Sequence, residues 1–311
     1  MSHRVWTAAS RAATVTVVIA TGSMLTWILW RTHGDNTVGY EGKSAAAWLS
    51  ASGASDSGSR AQAAYALTQV TFRTPAERRE ALAAEVRLLS DAEEDVRTEA
   101  TNGLIHFAQQ DGDAVGVVSI MAQCLRGDTP LDTRVAALRV LGAIGRPARV
   151  AEPTIADLLY ASSPAIRRAA IGTLADVGAT DSGTVSAIAR LGDDQDSRVR
   201  EAALSALTQL GADASVVLPV VIPALTDTAP SVREQAAYTL GALRPVPDAS
   251  IVPLAHALWD RGSGVRLAAA DALGHALPAP AARDALERAA RDPDSAVRAP
   301  ARAMLVWPVR R

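Results

Sequence analysis

Residues 196–211 read DSRVREAALSALTQLG, and the phrase returns as APSVREQAAYTLGAL at 229–243 and GSGVRLAAADALGHAL at 262–277. Aligned on their shared arginine, eight copies appear along the chain, at Arg60, Arg97, Arg134, Arg167, Arg200, Arg233, Arg266 and Arg298. The intervals are 37, 37, 33, 33, 33, 33 and 32 residues. Self-similarity at such a period marks a stack of supersecondary units. An aliphatic residue usually precedes the arginine, and an alanine and a leucine stand three and seven after it in every copy. Counted from the aliphatic residue these are steps of four and eight, one face of an α-helix.

A second apolar stretch precedes each phrase, for example AVGVVSIMAQCL, PTIADLLYA and VVLPVVIPALTD. Pro153, Pro219 and Pro253 fall near the starts of such stretches, where a missing N–H costs little, and Pro223 lies further in and predicts a kink. Asp and Ser between the two helices, as in DDQDS and RDPDS, supply capping oxygens. Gly178, Gly211 and Gly241 mark the exits. Each unit is thus a helical hairpin. One hairpin cannot bury its own apolar stripe and needs copies stacked on both sides.

The pattern of aliphatic residue, arginine, alanine and leucine after an Asp/Ser/Pro turn resembles HEAT repeats. The nearest subtype is the bacterial one shared with phycobilisome lyase subunits, and the resemblance covers about residues 43–307. It implies an all-α solenoid of about eight hairpins whose second helices line a concave side. With layers about 8–10 Å apart, the expected form is a gently curved rod. The resemblance also implies a structural ladder, each recurrent arginine pairing with an acidic residue in a turn. Asp56, Asp196 and Asp294, four before their arginines, fit that role, whereas the fourth and seventh copies carry Ser163 and Gly262 there.

Residues 12–30, AATVTVVIATGSMLTWILW, run without a charge for a length that spans a hydrocarbon core of about 30 Å, with Trp27 and Trp30 at one end. WRTHGDN follows, not the small-residue cleavage site of a secretory signal. The expected organisation is a cytoplasmic tail (1–11), a single transmembrane anchor (12–30), a linker (31–41) and the solenoid (42–311) on the outer, periplasmic or extracellular, face. Arg4 and Arg11 before the run set that orientation, although Arg31 follows it.

The 311 residues carry 31 Lys and Arg against 33 Asp and Glu, a net charge of −2. No global basic field draws nucleic acid. Cys124, the only cysteine, allows no internal disulfide or thiolate zinc site, and in a helix-like apolar run it is expected to be a small buried hydrophobe. His3, His33, His106, His256 and His275 form no HExxH, and there is no P-loop or GxSxG elbow. No enzyme activity, metal or cofactor is expected.

On the second helices, the positions one and five after the arginine lie opposite the buried stripe. Arg139 and Arg168 adjoin there, and Glu201, Glu234 and Asp271, with Tyr238 among them, make an acidic stretch. The expected function is a membrane-tethered, non-catalytic scaffold that docks a protein partner on this face. A bilin-lyase-like, chromophore-handling subunit and an architectural protein of the cell envelope are the alternatives.

Overall fold

The structure, a computed structural model, describes residues 39–110 and 114–306. The expected anchor at 12–30 lies outside the described residues. Among those described, no helix is long and apolar enough to cross a membrane.

The described residues form sixteen α-helices and one isolated bridge, between Tyr40 and Lys43. In chain order these are α1 (Ala45–Ala51), α2 (Ser57–Leu67), α3 (Pro75–Leu88), α4 (Glu94–Gln110), α5 (Ala114–Arg126), α6 (Leu131–Ile144), α7 (Glu152–Asp157), α8 (Pro164–Val177), α9 (Ser182–Arg190), α10 (Ser197–Gln209), α11 (Ala214–Ala224), α12 (Pro230–Ala242), α13 (Asp248–Ala257), α14 (Ser263–His275), α15 (Pro280–Ala289) and α16 (Ser295–Val306). Odd-numbered helices are the first of each hairpin, and even-numbered ones carry the arginine phrase. The chain divides into two compact units after Ala84.

In the first unit, residues 39–43 form a tight hook before α1. Ser44 caps α1 by accepting from the Ala47 N–H. Trp48, 1% exposed, donates its Nε1–H to the Tyr40 carbonyl at 3.1 Å. The Lys43 ammonium sits 4.2 Å above the indole, and Tyr40 meets Tyr65 edge to face. An indole buried with its N–H satisfied and a cation over its face is a stable anchor for a terminal repeat.

In the second unit, α6, α8, α10, α12, α14 and α16 pack side by side in one layer, and α5, α7, α9, α11, α13 and α15 form the other. The core lies between them. The motif leucines Leu141, Leu174, Leu207, Leu240 and Leu273 and the alanines Ala137, Ala170, Ala203, Ala236 and Ala269 are each at 0% exposure. Alanine at that position lets neighbouring helices approach, and the second helices are the more intimately packed of the two layers.

Three local expectations need correction. Pro219 and Pro253 are interior to α11 and α13, because those helices begin earlier, at Ala214 and Asp248. Each proline removes one helical hydrogen bond, and at Pro219 the freed position faces solvent. Gly178 and Gly211 do leave their helices with φ of 67° and 63°, a left-handed turn that suits glycine. Gly241 instead lies inside α12, where a Cβ would stand 2.8 Å from that of Ala272; its role is close approach of α12 and α14. Cys124 is half-buried rather than buried, and burial raises its thiol pKa.

Glu85 is the anomaly of the core. It is at 0% exposure, neither carboxylate oxygen has a hydrogen-bond partner, and the group lies against α4 at Gly103. Burial, and then the nearby Glu99 carboxylate, push its pKa well above the ordinary range. A carboxyl whose folded pKa is raised contributes stability that is full below its unfolded pKa and declines as pH rises toward the folded value. Glu85→Met, similar in length and without the unpaired oxygens, is therefore expected to raise the melting temperature at neutral pH. It should also flatten the decline above the ordinary carboxylate range. Thermal melts of both proteins from acid to neutral pH check this; identical slopes would show that Glu85 ionises freely.

Candidate interaction surface and the arginine ladder beneath it

Each second helix opens with its arginine one turn in, so the side chain reaches back over the turn that precedes the helix. Arg60, Arg97, Arg167, Arg200, Arg233, Arg266 and Arg298 donate from Nη1 to the backbone carbonyls six and five residues earlier. Examples are Arg200 to Asp194 (2.8 Å) and Gln195 (3.2 Å), and Arg298 to Asp292 (2.6 Å) and Pro293 (3.1 Å). Arg134 donates from Nε to the Thr129 carbonyl.

The remaining fork of the guanidinium points to the next layer. Arg167 grips Asp194 through Nε (2.8 Å) and Nη2 (2.7 Å), and Arg200 grips Asp227 at 2.7 Å through both nitrogens. Arg233 holds Asp260 at 2.6 and 2.9 Å, and Arg266 holds Asp292 at 2.9 and 3.3 Å. The same aspartates accept from the N–H two residues on, at 2.8–2.9 Å, forming the turn that starts the following helix. Their own carbonyls take the next arginine. Aspartate and arginine thus alternate from Arg167 to Arg298.

The acidic partner is therefore six before the next layer's arginine, not four before the arginine's own position. Asp56, Asp196 and Asp294 act differently. They accept from the N–H groups of Ser59, Arg198 and Ala296 at helix entry, which is N-capping. The alignment held the signal: Asp91, Asp128, Asp194, Asp227, Asp260 and Asp292 all occupy the minus-six position, against three aspartates at minus four. Ala161 stands there in the fourth hairpin, opposite Arg134. Arg97 has only a looser contact, 3.5 Å to the exposed Asp132.

Bidentate pairing in a partly dry turn stabilises the charged forms. Partial burial pushes the Asp194 and Asp227 carboxyls up, but the hydrogen bonds from Arg167 and Arg200 outweigh it and hold both below the usual carboxylate value. For Asp260 the Arg233 hydrogen bond is itself the largest influence, again downward. From Arg167 to Asp292 the carboxylates and guanidinium forks of this seam are paired with one another.

The six candidate docking residues all lie on the packed layer of second helices. Arg139 (α6), Arg168 (α8), Glu234 and Tyr238 (both α12) are exposed, Tyr238 by 59%, while Glu201 (α10) and Asp271 (α14) are half-exposed. The Glu234 carboxylate lies over α14 at Gly264. Asp271 is 3.9 Å from the Nδ1 of His275, which in turn is 3.0 Å from Arg244. Among the described residues no hydrogen bond or ion pair joins any of the six to another. They form a spaced row on neighbouring helices, not a converging site. His106 and His256 are also on helix faces, and among the described residues no three His, Cys, Asp or Glu side chains converge as a metal site.

A feature not anticipated from sequence lies on the other layer. A groove of about 1080 Å³ between α11 and α13 is bounded by Pro223, Pro253, His256 and Trp259, the indole 75% exposed. Tyr160, 71% exposed, occupies the same place in the fourth hairpin. Both stand seven before their arginines, a position that is otherwise Gly, Ser, Asp, Thr or Arg, so periodicity did not mark it.

Compared with known proteins, the chain matches the family described as HEAT repeats over residues 118–208, 184–274 and 218–306. No curated protein matches it by sequence. Among solved structures it is similar to an engineered protein (21% identity, TM-score 0.53, covering 84% of this chain and 77% of that one). It is also similar to YibA of E. coli (18% identity, TM-score 0.56, 83% and 90%). A third likeness is to a chain of the structure in which Kap95p binds RanGDP (14% identity, TM-score 0.63, 86% and 41%).

Proposed function

Because the chain belongs to the HEAT-repeat family, we propose that it works as a non-catalytic scaffold that docks a protein partner on its layer of second helices. The observation that carries this is the row of side chains on that layer. Arg139, Arg168, Glu201, Glu234, Tyr238 and Asp271 project from five successive second helices that share one packed layer, and none is needed by the ladder. The solenoid fold is typical of interaction scaffolds, and fold alone does not name the partner. An exposed aromatic among carboxylates fits a partner segment rich in basic side chains. The finer assignment to the bacterial lyase-like subtype rests on the residue pattern alone.

The apolar run at 12–30 supports a tether, with the solenoid on the outer face of the membrane. The short linker after it keeps the first hairpin within about 40 Å of the bilayer even when fully extended.

Crosslinking in the host, followed by detergent extraction of the full chain, tests the scaffold. The triple variant Glu201→Lys, Glu234→Lys, Asp271→Lys is expected to lose the crosslinked partner while melting like the unaltered protein. A partner retained in full by that variant removes this face from consideration. A stoichiometric pigment in place of a protein would favour the chromophore-handling reading.

A further inference from the structure

Among the described residues, the last hairpin presents the ladder's arginine with no carboxylate on its fork. Arg298 is held as its predecessors are, Nη1 on the carbonyls of Asp292 and Pro293. Yet among the described residues its Nε and Nη2 meet no carboxylate. In four preceding layers that fork closes on an aspartate of the next layer. The neighbouring surface has changed as well. Four residues after the arginine, Leu138, Ile171, Leu204, Ala237 and Ala270 are fully buried beneath the following helix. At the equivalent place in α16 stands Arg302, exposed, its Nε on the Ala290 carbonyl. Val306, one turn on, is 83% exposed.

We propose that this face of α16 is a second docking point, for a partner protein that presents an aspartate in a helix-entry turn and so adds one more rung to the ladder. Two observations select that occupant. The face continues an interface already built four times inside the molecule, with the guanidinium pre-positioned by backbone carbonyls. Its charge, from Arg298 and Arg302, complements a carboxylate. Arg302 in an otherwise apolar place makes the contact polar. A second copy is a poor occupant. Its first hairpin has Ala54 at the minus-six position, and its last hairpin would bring arginines against arginines. This docking point is independent of the Glu201–Asp271 face.

The test uses the full chain labelled with ¹⁵N-arginine, the Nε–H signal of Arg298 being assigned with Arg298→Lys. In the free protein the Nε–H groups of Arg167, Arg200, Arg233 and Arg266 are expected to exchange slowly with solvent and that of Arg298 quickly. The probe is a blocked peptide with the sequence of residues 290–296, ARDPDSA, at millimolar concentration. It should shift and slow the Arg298 signal alone, and the same peptide with both aspartates replaced by asparagine should not. Three results overturn the proposal: an Arg298 signal already slow in the monomer, which means that the chain fills its own fork; slowing with protein concentration, which means a second copy; or identical effects of the two peptides.

Discussion

Arg233→Ala is expected to cost about 3–5 kcal/mol of stability, the range seen when one partner of a largely buried ion pair is removed. Arg233 and Asp260 are only 15% and 12% exposed at their side chains, so water does little to replace the lost guanidinium. The substitution also frees two turn carbonyls, those of Asp227 and Thr228, and cuts the ladder in its middle. Asp196→Ala and Asp294→Ala, which remove only caps, should cost about 1 kcal/mol each. Urea denaturation, with amide exchange to localise the opening to α12–α14, separates the cases. Equal losses for Arg233→Ala and Asp196→Ala would mean that the interlayer pairing adds nothing beyond helix capping. The ladder also carries an acid signature. Asp194, Asp227 and Asp260 have folded pKa values below their unfolded ones. Their contribution is therefore present above the ordinary carboxylate range and is lost as pH falls through the lower, folded values. In Arg233→Ala the share owed to Asp260 should vanish from that acid limb.

Trp48→Ala should release the N-terminal hook, at a cost of about 3–5 kcal/mol for emptying an indole-sized site. Among the described residues of the first unit, Trp48 is the only fully buried aromatic ring, and it joins the hook to α1 through its hydrogen bond to Tyr40. Without it, Lys43 and Tyr40 lose the surface on which they rest. Amide exchange should then rise across residues 40–67 and stay unchanged in α8–α14, because solenoid stability is a sum over neighbouring layers. Trp48→Phe, which keeps most of the packing and loses the indole N–H, should cost about 1 kcal/mol. Unchanged exchange at residues 40–67 in Trp48→Ala would show that the hook is held by something else.

Much of this architecture is legible in the amino-acid order. The alanine and leucine at three and seven after each arginine place eight stripes, buried in every copy but for the half-buried Leu305 of the last, and all eight second helices form where those stripes lie. What the pattern misplaced were contacts made at close range between layers. Gly241 reads as an exit and proves to be a point of approach for Ala272. Pro219 and Pro253 read as helix starts, because a linear pattern cannot see that Ala214 and Asp248 already turn the chain. The burial of Glu85 is not legible in the sequence, since nothing in EALAAEVRLL shows that its carboxyl lies against Gly103.

The candidate docking row was legible for a different reason. Exposure on a helix follows largely from periodicity: Arg139, Arg168, Glu234 and Tyr238 stand exposed, while Glu201 and Asp271 are half-exposed. Trp259 was not legible, since the aligned position carries no aromatic ring in any other copy except Tyr160.

By itself the sequence determined the repeat, its register and the buried face of each second helix, because these follow from local helical periodicity and from the need of every hairpin for neighbours. Only the tertiary structure decided which aspartate each arginine meets. In the turns before Arg200 and Arg298 two carboxylates lie two residues apart. The one at minus four is drawn into capping its own helix by N–H groups close at hand. The one at minus six has its carboxylate turned toward the preceding layer, where stacking delivers an arginine from 26 or 27 residues earlier in the chain.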